Sequence, residues 1–491
     1  MNWLRRPATG VLFAIVVAYC VLGVLYAVYT PPWQAPDEPA HYNYVRYLAE
    51  QHRLPVLQPG DYPHAYLEEI KAAKFPPEMT IEPIRYEFWQ PPLYYLLAVP
   101  VYVLFRGALI PLRLFSIACG AALLIVAYGI VRQIFPRSEF LALGTIALVA
   151  FVPQHLAMTA AVNNDALAEL MLAGVVWGLV RWIVREEIRG TKGKWGELGE
   201  LAGIGVLMGL GLLTKTSTVV SVLLAFAALI LRRKQAGARS FAYLLLPVVL
   251  LVLPWLVRNA AVYGGLDVLG WERHSSVVVG QPRTAEWIAL YGPGNVLRWG
   301  LTTTFQSFWA QFGWMAVPVD PRIYQVLALF CGLAGLGFVL YVRRLGQERR
   351  LSLDTGPRQA AGLLVLWLLL GGASYLWYNA TFVQHQGRYL FPALVTIALL
   401  VALGWREVLR RENARWLAVT LLIGTGILAG RGLIAGQVSK TAIVLTGGAA
   451  VLLGGQSLLG ESWRLLFFAL PYLGLATLAL LCPFAFIVPY L

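Results

Sequence analysis

Residues 10–29 read GVLFAIVVAYCVLGVLYAVY, and residues 30–42 continue TPPWQAPDEPAHY. The first stretch carries no charge, and at about 1.5 Å per residue it is long enough to cross the roughly 30 Å hydrocarbon layer of a bilayer. The second is polar, rich in proline, and holds the adjacent acids Asp37 and Glu38. The chain therefore crosses a membrane and emerges into a loop with two carboxylates beside the lipid surface. Arg5-Arg6 ahead of the run would suit a signal peptide. The run is too long for one and lacks a small-residue cleavage site, so it reads as a retained helix.

The rest of the chain repeats this pattern. Of 491 residues, 58% are hydrophobic and 13% charged, whereas soluble domains carry about 25% charged residues. Apolar segments lie near 10–29, 110–131, 140–158, 166–184, 201–214, 217–231, 240–262, 323–342, 360–380, 389–405, 416–433, 441–457 and 465–488. The fold class is all-α polytopic, with about 13 transmembrane helices and 1–491 as a single membrane domain. Cys20, Cys119, Cys331 and Cys482 are scattered through apolar runs, so no disulfide framework or metal cluster is visible.

Charge sets the sidedness. With Arg5-Arg6 cytoplasmic, the basic connections around 132–139, 181–200, 232–239, 343–359, 406–415 and 458–464 share their side, as the positive-inside rule requires. The net charge of +14 then belongs to cytoplasmic loops and anionic headgroups, with no nucleic-acid partner implied. The outer face carries a first loop at 30–109 and a second at 263–322, separated by helices in 110–262 and followed by those in 323–491. Pro91-Pro92-Leu93 through Phe105 would break this parity as a span, so it reads as an interfacial or re-entrant helix.

Positive charge at an outer helix end needs a reason. Lys215, Arg258, Arg388, Arg431 and Lys440 sit there, three of them in Leu213-Thr214-Lys215-Thr216, Pro254-Trp255-Leu256-Val257-Arg258-Asn259 and His385-Gln386-Gly387-Arg388-Tyr389-Leu390-Phe391-Pro392. Such cations suit a lipid phosphate or pyrophosphate; the plainer alternative is that they reach to headgroups or loop acids. Asp37 and Glu38 open an amphipathic helix running to about His52, with His41, Val45 and Leu48 on one face. Asp37 is placed to cap it. A carboxylate facing a partly dry cavity also has its pKa raised and suits a general base. Asn163-Asn164-Asp165 begins the segment at 166 and reads either as a cap or as part of the same site. Glu87-Phe88-Trp89-Gln90-Pro91-Pro92-Leu93-Tyr94-Tyr95 brings the loop back to the membrane; Gln90 could orient a polar ligand. Gly205 and Gly209 form a small-residue packing face. His41, His385 and His274 are the histidines worth following. No Walker A loop, dinucleotide fingerprint, HExxH or GxSxG is present.

Taken together, the N-terminal span, Asp37-Glu38, Gln90-Pro91-Pro92-Leu93-Tyr94-Tyr95, Asn164-Asp165 and Thr214-Lys215 resemble the GT-C glycosyltransferases, and most of all the branch of protein O-mannosyltransferases and aminoarabinose lipid A transferase. Gly387-Arg388-Tyr389-Leu390-Phe391-Pro392 extends the likeness into the second half. The resemblance implies the GT-C fold and a large first outer loop carrying interfacial helices. It also implies an inverting transfer of a sugar from a polyprenyl-phosphate donor to a lipid, glycan or protein acceptor on the extracytoplasmic side of a bacterial inner membrane. Asp37 would be the base and Glu38 its neighbour; Lys215 or Arg258, with Arg388 and Tyr389, would hold the phosphate. His41, Gln90, Tyr94, Asn164, Asp165, Asn259 and His385 would line the cavity. Many relatives have His before Pro-Pro where this chain has Gln90. Metal use is open: the Lys/Arg cluster could stabilise the phosphate without a metal, and Asp37, Glu38 and Asp165 could hold a divalent cation if they converge. The outer loop with Trp271, Trp287, Trp299, Trp309, Trp314 and a Gly292-Pro293-Gly294 hinge reads either as a cover for the sugar or acceptor or as an interfacial loop anchored by its tryptophans. The competing readings are a flippase or transporter for lipid-linked sugars, which places polar groups at mid-membrane, and a polysaccharide polymerase or ligase using a polyprenyl-pyrophosphate donor.

Overall fold

A computed structural model describes residues 5–188, 194–232, 237–347 and 355–491. Backbone polar groups in lipid must be satisfied within the segment, so the apolar runs become helices. Among the described residues, eleven helices are long and apolar enough to cross a membrane: Ala8–Tyr29, Leu109–Ile134, Asp165–Val184, Gly196–Thr214, Ala238–Tyr263, Pro321–Gln347, Thr355–Thr381, Gly387–Val408, Arg411–Ile434, Lys440–Leu458 and Trp463–Tyr490. The other two expected spans take different forms. The 140–158 segment is a pair of helices, Glu139–Phe151 and Pro153–Thr159, bent by 65°. The 217–231 segment forms only a shorter apolar helix, Thr216–Leu231.

The bend follows from one proline. Pro153 has no N–H, which leaves the Val149 carbonyl without its helical partner. The His155 ring takes that place through Nδ1 at 2.9 Å, so its Nε2 faces the Glu169 carboxylate at 3.0 Å. Both side chains are buried.

Helices α1 (Arg5–Tyr29), α5 (Leu109–Ile134), the helix Asp165–Ile188 and the helix Leu394–Val408 surround the interior. The most enclosed spans are Asp165–Val184, 72% buried, and Gly387–Val408, 61% buried, against 17% for Ala238–Tyr263. Both central spans begin with chemistry-bearing residues, Asp165 and Gly387-Arg388. Gly387 is required by its contacts: a Cβ there would stand 2.3 Å from the Phe308 nitrogen and 2.5 Å from the Thr304 carbonyl oxygen. The Gly205–Gly209 face packs on Ala238–Tyr263, with Gly205 against the Leu244 carbonyl.

The first long connection folds into α2 (Glu38–Gln51), α3 (His64–Ala72) and α4 (Leu93–Leu104). At 12 residues, α4 reaches only about 18 Å, too short to span. Asn43 Nδ2 pins the returning loop by donating to the carbonyls of Ile81 and Ile84 at 2.7 and 2.8 Å. Tyr44 and Tyr95 stack at 3.7 Å between centroids, fixing α2 on α4. The second long connection meets the first: Trp314 Nε1 donates to the Trp33 carbonyl at 3.0 Å, and Trp89 packs edge-on against Trp271. Gly292-Pro293-Gly294 is the start of the helix Pro293–Trp309 rather than a hinge. Basic side chains gather at the opposite end of the bundle, where Glu407 pairs with Arg344 at 2.8 Å and Arg406 donates to Ser138 at 3.1 Å.

Candidate active site

Where the two long connections meet the central helices lies a cavity of about 260 Å³, with Asp37, Tyr86, Glu87, Arg388, Tyr389 and Trp314 in its wall. Asp37 stands at the cap position of α2 but does not cap it. Its backbone is left-handed, with φ of 68°, a conformation uncommon outside glycine and costly to hold without support. The side chain is aimed away from the helix. Oδ1 accepts from the Tyr86 hydroxyl at 2.7 Å and Oδ2 from Arg388 Nη2 at 2.6 Å.

That contact joins positions 351 residues apart. A second ion pair stands near it, Lys215 Nζ to Asp165 Oδ1 at 2.5 Å. The charges of both pairs act on His41, which is buried and bonded through Nδ1 to the Tyr95 hydroxyl at 2.8 Å. Two acids and two cations from four distant stretches thus converge at one end of the bundle.

Their electrostatics differ from the expectation at one point. Burial acts to raise the Asp37 carboxyl, but the Arg388 guanidinium, His41 and the Tyr86 hydroxyl outweigh it and hold the pKa at about 2. Asp37 is therefore a weaker base than a free carboxylate, not a stronger one. The raised acid is Glu87, pushed up to about 7 by burial and by the Asp37 charge. Burial brings His41 and His274 down to about 4, so both rings are neutral at pH 7.

Several expected roles are corrected by position. Glu38 faces away from the cavity: it is fully buried and bound to Arg113 through Nε at 2.8 Å and Nη2 at 2.6 Å, and it also accepts from the amides of Val162 and Trp33. All its acceptor capacity is committed, so it holds structure together and is not a second acid of the site. For the same reason Asp37, Glu38 and Asp165 do not converge on one point. Among the described residues no group of three or more His, Cys, Asp or Glu is placed to hold a metal ion. Arg258 donates to the Pro55 carbonyl and to Asn259 and packs on Trp255 and Tyr263, which removes it from the phosphate-binding set. Asn259 donates in turn to the Val268 carbonyl.

The remaining expected residues form the material behind the wall. Gln90 and Asn164 are buried and bonded to each other at 3.4 Å, with Asn164 also donating to the Thr214 carbonyl at 3.1 Å. Tyr94 is bonded to Ser116 at 2.8 Å, and His385 packs against Gly300. None of His41, Gln90, Tyr94, Asn164, Asp165, Asn259 or His385 lines the open cavity, nor does Lys215. Of the five tryptophans expected to cover a sugar, only Trp314 reaches it. Trp309 is buried beside Phe308, while Trp287 and Trp299 pack with Tyr291. Tyr86, Glu87, Tyr378 and Lys71 line the cavity without having been singled out. The available signal was an acid three residues ahead of Gln90-Pro91-Pro92.

Comparison with known proteins agrees with this architecture. Residues 89–257 match the family described as dolichyl-phosphate-mannose-protein mannosyltransferase. No curated protein sequence matches the chain. Among solved structures, ArnT from Cupriavidus metallidurans bound to undecaprenyl phosphate aligns with a TM-score of 0.50 at 14% identity, covering 97% of this chain and 77% of that one. Its apo state gives 0.51 at 13% identity, with 97% and 78% covered. The Archaeoglobus fulgidus oligosaccharyltransferase aligns at 0.48 and 12% identity, covering 89% of this chain and 56% of that chain. This chain is a multi-pass membrane protein with the GT-C glycosyltransferase fold, whose residues 89–257 match the dolichyl-phosphate-mannose-protein mannosyltransferase family.

Proposed function

We propose that the protein transfers a sugar from a polyprenyl-phosphate donor to an acceptor hydroxyl on the extracytoplasmic side of a bacterial inner membrane. One observation carries this reading: the Arg388–Asp37 pair at 2.6 Å and the Lys215–Asp165 pair at 2.5 Å stand together, with Arg388 and Asp165 at the starts of the two most enclosed spans. Cleaving the bond between the anomeric carbon and phosphate leaves a lipid phosphate whose developing charge needs fixed cations nearby. Both cations can reach a phosphate while keeping their aspartates: Arg388 Nε is buried without a partner, and the Lys215 ammonium has three donors, one of them on Asp165. Tyr389, whose ring lies 5.3 Å from the Arg388 guanidinium, would back the same phosphate. Asp37 engages the acceptor hydroxyl opposite the leaving group, so attack in line inverts the anomeric carbon. A single displacement does not need the paired carboxylates of a glycosidase.

The position of the charge also weighs against a transporter, which would set its polar groups and broken helices near the membrane midplane. Here the cavity opens among loops at one end of the helices. The ArnT structure bound to undecaprenyl phosphate supports a donor of that class.

The test uses purified protein in proteoliposomes with a panel of undecaprenyl-phosphate hexoses and pentoses. Asp37→Asn is expected to lower transfer about 100-fold, the size of a lost positioning contact to the acceptor hydroxyl, while binding of undecaprenyl phosphate stays intact. Lys215→Ala and Arg388→Ala are expected to weaken that binding about tenfold or more. Transfer by Asp37→Asn at the wild-type rate removes Asp37 from the mechanism, and unchanged binding in both cation variants moves the phosphate elsewhere.

A further inference from the structure

The displacement just described releases a proton, and Asp37, tied to Arg388 and Tyr86, is a poor place to leave it. Its neighbour in space is better suited. Glu87 lines the same cavity as Asp37, one residue along the chain from Tyr86, whose hydroxyl donates to Asp37 at 2.7 Å. The turn that carries it is rigid: the amide of Phe88 donates to the Arg85 carbonyl at 3.0 Å, and that of Gln90 to the Glu87 carbonyl at 3.0 Å. Its Oε2 is buried without a hydrogen-bond partner. Such an orphaned acceptor costs free energy unless a proton or a ligand hydroxyl completes it. Among the described residues no cation forms an ion pair with it, in contrast to Asp37 and Asp165.

We infer that Glu87 is the proton acceptor of the transfer reaction, receiving the proton of the acceptor hydroxyl while Asp37 orients that hydroxyl. This rests on the glycosyl-transfer reading. The oxygen of the acceptor forms its bond to the anomeric carbon as the bond from that carbon to the phosphate oxygen breaks, and the bonding pair leaves with the polyprenyl phosphate. The hydroxyl proton goes to Glu87, which becomes a neutral carboxylic acid. Division of labour follows from the partners: an acid held by a guanidinium stays charged and fixes geometry, whereas an acid crowded by other carboxylates accepts a proton readily. The charged groups acting on Glu87 are Asp37, Asp165 and Lys215. The Tyr86 and Tyr95 hydroxyls feel its charge in turn, and both stay protonated through neutral pH because burial and these carboxylates disfavour their ionisation.

Two measurements test it, one of them independent of any substrate. In wild-type protein, infrared difference spectra across a pH titration should show a carboxylic-acid band lost as pH rises through about 7. The band should vanish in Glu87→Gln and move to lower pH in Asp37→Asn, which removes a repelling charge. In the proteoliposome assay Glu87→Gln should lower kcat/KM by roughly 100- to 10,000-fold, abolish the acidic limb of its pH profile and leave undecaprenyl-phosphate binding unchanged. Glu87→Asp should recover part of the activity. A band that persists in Glu87→Gln, or wild-type activity with an intact acidic limb in that variant, overturns the inference while glycosyl transfer stands. Wild-type protein that transfers no sugar and binds no undecaprenyl phosphate overturns both.

Discussion

Asp37 and Glu38 are neighbours in the chain and opposites in the fold. Each pairs with an arginine at 2.6 Å, yet the Asp37–Arg388 side chains are 25% and 10% exposed and the Glu38–Arg113 side chains 0% and 2%. Arg113 donates to Glu38 and also to the carbonyls of Ala27, Thr30 and Pro31, binding the end of α1 to the start of α2 and to α5. Every polar atom of that cluster is used within the protein. In the Asp37 pair, Arg388 Nε is buried without a partner, and the cavity lies open beside it. Two ion pairs of the same chemistry are thus separated by what remains unsatisfied: one is finished by the fold, and the other borders a cavity with a donor unused.

The sharpest way to break this contrast is to remove one partner of the closed pair. Arg113→Met leaves the Glu38 charge buried alone, and the expected loss is about 3–5 kcal/mol of stability, seen as a fall in folded yield and melting temperature in detergent. Asp37→Asn should cost less stability than Arg113→Met, because its pair borders the cavity and is partly exposed, while removing transfer, so the two substitutions separate stability from chemistry. If Arg113→Met melts like wild type, Glu38 has some other support and its assignment to structure fails.

A smaller effect tests the polar layer between the pairs. His41 is held neutral in the folded protein with its pKa near 4, below the ordinary value of about 6.5. The unfolded chain takes up the proton first as pH falls, so stability present above about 6.5 is lost progressively toward 4. Melting temperature measured across that window should decline, and His41→Asn should flatten the part of the decline that does not come from His274. A slope unchanged in His41→Asn would show that this ring is open to water. The smallest effect concerns the cover: Trp314→Phe removes one hydrogen bond to Trp33, and the expected loss is about 1 kcal/mol, with donor binding unaltered.

Much of the architecture could be read from residues because lipid imposes it directly. Thirteen apolar runs became eleven full-length helices, one bent pair and one short helix, and the short α4 was recognisable from its length. Convergence of Asp37 with Arg388, and of Asp165 with Lys215, was an expectation from their shared side of the membrane; the contacts join positions 351 and 50 residues apart. What could not be read was which of two adjacent acids faces the cavity, since that depends on Arg113, 75 residues further along. A charged residue in the first turns of the apolar segment at 110–131 was the overlooked clue. Glu87 was illegible for a related reason: its basicity arises from burial and from the charges of Asp37 and Asp165, against the opposing pull of Lys215, and no local pattern brings these together. Arg258 shows the converse, a cation in a suggestive context that the fold spends on a loop carbonyl.

The Asp37–Arg388 contact also has a consequence for biogenesis. A nascent chain whose first seven spans have already inserted presents Asp37 at the membrane surface with no guanidinium to meet it. Arrival of the helix that follows Arg388 closes the cavity wall, so a truncated polypeptide would display the acid without the pocket and stay inert.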